Sequence, residues 1–435
     1  MRIVLAFLLL FVCLFVFVYS YKKTKDFFSP ICFFVFFQAI RYIPNMFSKT
    51  EEHYYLLSSD SILRLFGVEI LAIIGVLMFY LVSKSIKVKT KKNVNFKPQR
   101  FILYILFLIG LTSRLVIIRN CGGLSTIITN FSLAYHLMTK QSGYLSALSN
   151  LMVISTCLLL KHYSKNRFDK IVIGFLVILY SSTYLIFTSR TPILECLLVL
   201  VFVYNFSIKK IEFSSFLKPR MIALIVVAIF IITILPSFRT FGKTDLSIGG
   251  VFYSFKNNLS NIFDELSCVG KDSFVYDNIR INDYWWGRNY LNLFTAFIPS
   301  SMYSNKPPID DGMYLSNLIL GNVVSPSMGR ADLDFQSSIP FSTQSCLFIN
   351  FGLVGVFLGE FLLGILYGVV YKYLKKIRSP FSSYVYFVVI YVLELSSLSI
   401  VQALIPLALC FLVYIFCKIA WGIKHYGLAY FDVSI

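Results

Sequence analysis

Apolar residues in this chain come in blocks long enough to cross a bilayer, and that fixes the class of fold. Met1–Tyr21, Ile62–Val82, Phe101–Ile118, Ile171–Thr188, Met221–Phe238, Cys346–Tyr371, Phe381–Ile400 and Ala403–Ala420 each reach or approach the length needed. Phe27–Phe47, Leu145–Leu160 and Thr191–Ser207 are weaker blocks of the same kind. A hydrocarbon core of about 30 Å takes roughly 20 helical residues, and tilt or snorkelling covers a small deficit. None of the blocks alternates as a strand would, and only helices and closed barrels satisfy their backbone groups in lipid. The expectation is an all-α polytopic membrane protein with about eleven transmembrane helices. Composition agrees: 57% of residues are hydrophobic, 14% are charged, and mean hydropathy is +0.74. A soluble domain carries roughly 25% charged residues. The first block has only Arg2 before it and no small-x-small cleavage site after it, so it reads as a retained helix rather than a signal peptide.

Charge orients the helices. The segments Lys22–Lys25, Lys84–Arg100, Lys161–Lys170, Lys209–Arg220, Lys372–Arg378 and the C-terminal stretch from Lys418 hold 20 Lys and four Arg. They hold four acids, Asp26, Asp169, Glu212 and Asp432. The alternate loops are poor in cations. The positive-inside rule makes the first set cytoplasmic, with the N-terminus outside and the C-terminus inside. The net charge of +19 is then a topology signal and an attraction to anionic headgroups, and no nucleic acid is needed to explain it.

This orientation divides the chain into helices 1–8 over residues 1–237, a large outer loop over 238–345 between helices 8 and 9, and helices 9–11 with a cytoplasmic tail over 346–435. So long a loop is usually functional or a small domain. It is aromatic at Tyr284, Trp285, Trp286 and Tyr290, and punctuated at Pro299, Pro307, Pro308 and Pro326. Val251–Leu266 and Tyr290–Phe297 suit short amphipathic helices on the membrane surface. The nine cysteines are scattered, with no CxxC and no zinc spacing, and read as small buried hydrophobes. Nucleotide loops, dinucleotide fingerprints, zincin motifs and nucleophile elbows are absent, so no cofactor and no metal is expected.

The arginines carry the most information. Arg41, Arg64, Arg114, Arg119, Arg190 and Arg239 lie at or near the outer ends of spans, with no Lys among them. Topology alone does not select Arg over Lys. A guanidinium offers a planar fork for phosphate oxygens, whereas snorkelling to lipid phosphate is the plainer use of each. Arg190 stands in the turn Thr188-Ser189-Arg190-Thr191-Pro192, where the next helix begins and its N-terminus favours an anion. Arg239 follows Pro236 and precedes Gly242 and Lys243.

Glu69, Glu195, Glu360 and Glu394 are acids inside spans, read first as partners of these arginines and second as proton relays. In the loop, Arg288, Lys306, Asp310, Asp311, Arg330, Asp332 and Asp334 lie among aromatics, a mixture suited to sugar stacking and hydroxyl hydrogen bonds. His53, His136, His162 and His425 do not cluster. Gly355-x-x-x-Gly359 and Gly364-x-x-x-Gly368 have the spacing that lets a neighbouring helix approach closely.

Several short motifs together resemble the Wzy-type polymerases of bacterial O-antigen and capsular polysaccharide. They are Ser189-Arg190 in a hairpin turn, Arg239 with Gly242, Phe297-Ile298-Pro299 followed by Lys306-Pro307, Asn350-Phe351-Gly352 with Gly355, and Gly122-Gly123-Leu124 with Gly143-Tyr144. Relatives often carry Glu and Tyr where this chain has Cys346 and Phe348. The resemblance implies a bacterial inner-membrane glycosyltransferase. It would move a growing glycan from undecaprenyl pyrophosphate onto the next lipid-linked oligosaccharide repeat, beside a chain-length regulator and a flippase of the same pathway. Within that frame Arg190 and Arg239 would hold and stabilise the leaving pyrophosphate, with Asp332 or Asp334 activating the acceptor hydroxyl. Arg114, Arg119, Lys243, Arg288 and Lys306 would assist binding. A lipid-linked oligosaccharide flippase and an O-antigen ligase are the alternatives, and a passive channel or scaffold leaves the choice of Arg over Lys unexplained.

Overall fold

The computed structural model describes residues 1–48, 51–52, 55–88, 97–129, 137, 143–187, 189–212, 218–219, 264, 266–299 and 302–431. The chain is an all-α polytopic membrane protein. Among the described residues nine helices are long and apolar enough to cross a membrane. They are α1 Arg2–Thr24, α2 Pro30–Phe47, α3 Ser59–Ser85, α4 Arg100–Asn120, α5 Gly143–Tyr163, α6 Arg167–Leu185, α7 Thr191–Ile208, α10 Thr343–Ile377 and α12 Ser397–Trp421. Two helices of the large loop, α8 Val269–Asn278 and α9 Gly312–Ile319, precede α10, and the shorter apolar α11 Pro380–Val392 follows it. The expected eighth span Met221–Phe238 and the surface helix Val251–Leu266 lie largely or wholly outside the described residues. Tyr290–Phe297 forms only single turns, 3-10 at Arg288–Leu291 and α at Asn292–Thr295.

The chain divides into two compact units. The first comprises Met1–Val88, Ser260–Lys372 and Val389–Leu404; the second comprises Lys89–Leu259, Tyr373–Val388 and Ile405–Ile435. In the first, α1 and α2 are joined by a five-residue turn and pack as neighbours, with α3 against α1 and the loop helix α8 against α3. Asp26 in that turn is buried and accepts from Phe28 N at 3.1 Å and Tyr371 Oη at 2.6 Å, which satisfies both of its oxygens. In the second, α4 packs closely on α5, and α11 on α7 and α5. A Cβ on Gly110 of α4 would stand 3.0 Å from the Met152 backbone nitrogen of α5, so that contact needs glycine.

Two expected spans are not continuous helices. The first break is at Gly352, whose φ of 64° and ψ of −153° are open to glycine alone. The chain reverses there. Gln344 and Glu360 would be about 24 Å apart along a straight helix, yet Gln344 Nε2 donates to Glu360 Oε1 at 2.8 Å. Residues 343–351 therefore fold back on the helix that follows. Gly355 and Gly359 make room for that reversal: a Cβ on the first would lie 2.6 Å from the Leu347 carbonyl oxygen. Gly364 and Gly368 do what their spacing suggested, facing Val76, Phe79 and Val82 of α3. The second break separates α11 from α12 at Leu393–Ser396, inside the expected span Phe381–Ile400. Irregular backbone at membrane depth is tolerated where protein or a polar cavity surrounds it, so both breaks mark places where the first unit keeps polar groups inside.

The loop is packed rather than draped. Asn292 Nδ2 donates to the Pro308 and Pro326 carbonyls at 3.3 and 3.0 Å, tying two proline turns together. Trp285 is buried edge-on to Tyr314 and Phe341. Cys268 is buried too, and burial pushes its thiol up to about 11, so it is a poor labelling site. Val323 is 94% exposed. Val323→Cys should react with a membrane-impermeant maleimide on intact cells while Cys268 does not. Reaction only after lysis would reverse the orientation read from charge.

Candidate functional site

The polar interior of the first unit is built around the two breaks. The re-entrant helix 343–351 begins at Ser342, and the α11–α12 break runs beside it, with Leu395 N donating to Thr343 Oγ1 at 3.4 Å. One group of side chains lies toward α2 and α3. Tyr42 Oη and Ser342 Oγ both donate to Asp272 Oδ2, at 2.6 and 2.8 Å. Glu69 is fully buried with both carboxylate oxygens unpartnered among the described residues, and Asp272 Oδ1, Glu360 Oε2 and Tyr276 Oη are likewise orphaned. Burial raises the Asp272 carboxyl above the usual carboxylate range against the pull of Lys271, Tyr42 and Ser342. Arg41 pairs with Glu394 at 2.5 Å across the second break.

A second group lies where the loop meets the same helix. Asp311, in the sequence Pro307-Pro308-Ile309-Asp310-Asp311-Gly312, is 1% exposed. Its Oδ2 accepts from Ser397 N at 2.8 Å, at the start of α12, and from Asn289 Nδ2 at 3.1 Å. Asn289 Nδ2 is also 3.8 Å from Cys346 Sγ, as is the hydroxyl of Tyr290. Asp311 thus sits one side chain away from the position where the resembled family carries glutamate. Asp311 Oδ1 and Asn289 Oδ1 have no donor among the described residues. Unpaired buried acceptors are uncommon enough to need a reason, and two of them on adjacent side chains suit a ligand that brings hydroxyl donors. Burial pushes the Asp311 carboxyl up to about 6, outweighing the lowering by the Ser397 and Asn289 hydrogen bonds. Asp310 beside it is raised by burial as well, with Ser338, Gly312 and Arg330 opposing.

That elevation has a stability consequence. Folding favours protonated Asp311, so the stability it contributes is complete below the unfolded value near 4 and lost as pH rises through about 6. The difference is on the order of 3 kcal/mol. The thermal midpoint of the purified protein should fall across that window, and Asp311→Asn should flatten the fall. An equal fall in the variant would assign the effect to another group.

The loop docks onto this helix through the Asn350-Phe351-Gly352 motif. Trp285 N and Trp286 N donate to the Ile349 and Asn350 carbonyls at 3.0 and 3.2 Å. Gly287 N donates to Asn350 Oδ1 at 2.8 Å, and a Cβ on Gly352 would overlap the Tyr284 hydroxyl. The motif is a latch that holds the loop to the helix. It leaves Trp286 60% exposed beside it, an aromatic face suited to a sugar ring.

The residues singled out from the sequence fall in different places. In the first unit, Asp332 is exposed and holds a turn, accepting from Asn305 Nδ2 at 2.9 Å and Gly329 N at 3.2 Å. Asp334 and Arg288 are exposed. Lys306 donates to the Ile298 carbonyl at 2.8 Å, joining the two halves of the Ile-Pro…Lys-Pro stretch, and partial burial lowers its amine. Arg64 pairs with Asp277 of α8 at 3.2 Å and so ties a span to the loop, whereas Arg41 ties α2 to Glu394. In the second unit, Arg114 is buried, donates to the Thr183 carbonyl at 3.2 Å and lies 4.0 Å from the Tyr184 ring centroid. Arg119 is exposed in the last turn of α4, and half-buried Arg190 stands at the N-cap position of α7, which begins at this turn as expected. Arg239 and Lys243 lie outside the described residues. Sequence reasoning passed over Asp272 and Asn289, and ranked Asp311 below Asp332 and Asp334. Only the fold reveals that these three are buried.

No family model, no curated protein and no solved structure matches the chain. Among the described residues, no group of three or more His, Cys, Asp or Glu side chains could hold a metal ion.

Proposed function

We propose that this protein is a polysaccharide repeat-unit polymerase. It would transfer a growing glycan from undecaprenyl pyrophosphate to a hydroxyl of the next lipid-linked repeat, at the outer face of a bacterial inner membrane. The observation that carries the reading is Asp311: a loop carboxylate buried against the re-entrant helix, anchored through one oxygen and, among the described residues, without a donor to the other. Its value near 6 poises it as a general base at neutral pH. It takes the acceptor hydroxyl proton as that oxygen bonds to the anomeric carbon and the pyrophosphate leaves with the electron pair. Asn289 orients the acceptor hydroxyl and Trp286 stacks on a sugar face. Arg190 and Arg239 are the candidates for the leaving pyrophosphate; Arg119, Lys243 and Arg288 remain binding candidates. Arg114 supports the α4–α6 packing, Lys306 holds the loop, and Asp332 holds a turn. The substrate lipid, the chain-length regulator and the flippase are the partners this implies.

A second reading, a lipid-linked oligosaccharide transporter, is favoured by two acids in spans: among the described residues Glu69 has no partner and Glu360 has one oxygen without a donor, and intramembrane acids often mark ion pathways. One assay separates the two. Purified protein in detergent, given synthetic undecaprenyl-pyrophosphate repeat unit, should release undecaprenyl pyrophosphate and build a ladder of longer glycans. A transporter does neither without a sealed membrane, and absence of any ladder in active preparations would sink the polymerase reading.

A further inference from the structure

The second unit holds a cavity of about 280 Å³ between the C-terminal ends of α5 and α10, which lie in basic segments, the first turns of α11 and the middle of α12. Lys161, His162 and Arg378 line one part of it, and Val385, Leu407 and Phe411 another; among the described residues no acid takes part in the lining. Lys161 Nζ donates to the Ser207 carbonyl, which fixes the ammonium and leaves two of its three protons for a ligand. The Arg378 guanidinium has no hydrogen-bond or ion-pair partner among the described residues, and the residue sits at φ 51°, closing α10 before α11 begins. Phe411 is 62% exposed on the outside of its helix, next to the equally open Leu412, so the apolar wall continues onto the lipid-facing surface.

We propose that this cavity binds the phosphate headgroup of an anionic membrane lipid. Cations at the lining without an opposing acid among the described residues select an anion. An apolar wall that opens toward the acyl layer selects one carrying hydrocarbon over free phosphate. The volume lies just below the range of small-molecule sites and suits a headgroup with the first carbons of its chains. The basic segments around it concentrate anionic lipid at that surface, at about 1 kcal/mol per cation near it. Its lining shares no residue with the loop, so the proposal holds whether or not the polymerase reading does.

Native mass spectrometry of the full chain in neutral detergent, titrated with phosphatidylglycerol or phosphatidylcholine of equal chain length, tests it. Wild type should retain phosphatidylglycerol about tenfold more tightly. The Lys161→Gln, Arg378→Gln double variant should lose that preference. Leu407→Trp, which fills the cavity and keeps every charge, should lose retention of phosphatidylglycerol at an unchanged thermal midpoint. Equal retention of the two lipids, a preference that survives both variants, or displacement by millimolar inorganic phosphate would each overturn the proposal.

Discussion

Asp311→Asn should reduce polymer formation by about 10²- to 10⁴-fold, the range general-base catalysis supplies, while the protein remains folded. The amide is nearly isosteric, and its oxygen can still accept from Ser397 N and Asn289 Nδ2. What it cannot do is take a proton. The pH profile separates this role from a structural one. A base works when ionised, so wild-type kcat/KM should climb as pH rises through about 6 and then level off. Stability moves the other way through the same window, because folding favours the protonated acid. A variant that merely loosened the loop would lower activity at every pH and leave the acid limb in place. Asp311→Glu should retain part of the activity with a displaced limb. Asp332→Asn and Asp334→Asn should stay within about threefold of wild type, since both carboxylates are exposed and the first already holds a turn. Full-length ladders from Asp311→Asn would refute its assignment as the base.

Why the sequence does not single out Asp311 is a matter of physics. Hydropathy reports the mean environment of some twenty residues, so it identified the class of fold and located the spans that the structure describes. It is blind to direction. The stretch through Gly352 is apolar on both sides, and the reversal changes none of its composition. The break at Leu393–Ser396 is equally hidden, because Leu, Ser and a single Glu barely lower the local average. Turn chemistry was legible where a side chain forces it, as at Arg190 with Pro192 just inside α7. Intramembrane acids were legible as exceptions, and Arg41 with Glu394 made the expected kind of pair. Asp311 and Asp332 look alike in sequence, each in a polar, turn-rich stretch of the loop. One is buried against Ser397 and the other faces solvent, and that difference comes from contacts across eighty-six residues of chain. The arginine pattern also split on inspection. Arg41 and Arg64 form ion pairs and Arg114 packs on an aromatic ring, so these three have structural uses that the sequence pattern did not separate.

Gly352→Ala should be the most damaging single methyl in the first unit. The left-handed, extended backbone at this position is closed to alanine and costs on the order of 1–3 kcal/mol by itself. The added carbon also meets Tyr284, whose Cζ lies 2.8 Å from where it would stand. Either the reversal opens or the loop strand Tyr284–Gly287 lifts away from Ile349 and Asn350. Both outcomes displace Asn289 and Asp311, so ladder formation should fail even in the fraction that remains folded. Tyr284→Ala in the same chain removes the overlap and leaves the backbone cost. It should therefore recover part of the lost thermal stability, an interaction a double-mutant cycle can isolate. Gly174→Ala in α6 is the control, since a Cβ there meets nothing within 4 Å and helix propensity favours alanine by up to about 1 kcal/mol. If Gly352→Ala melts and polymerises like Gly174→Ala, the reversal at Gly352 does not hold the loop in place, and the candidate base loses its support.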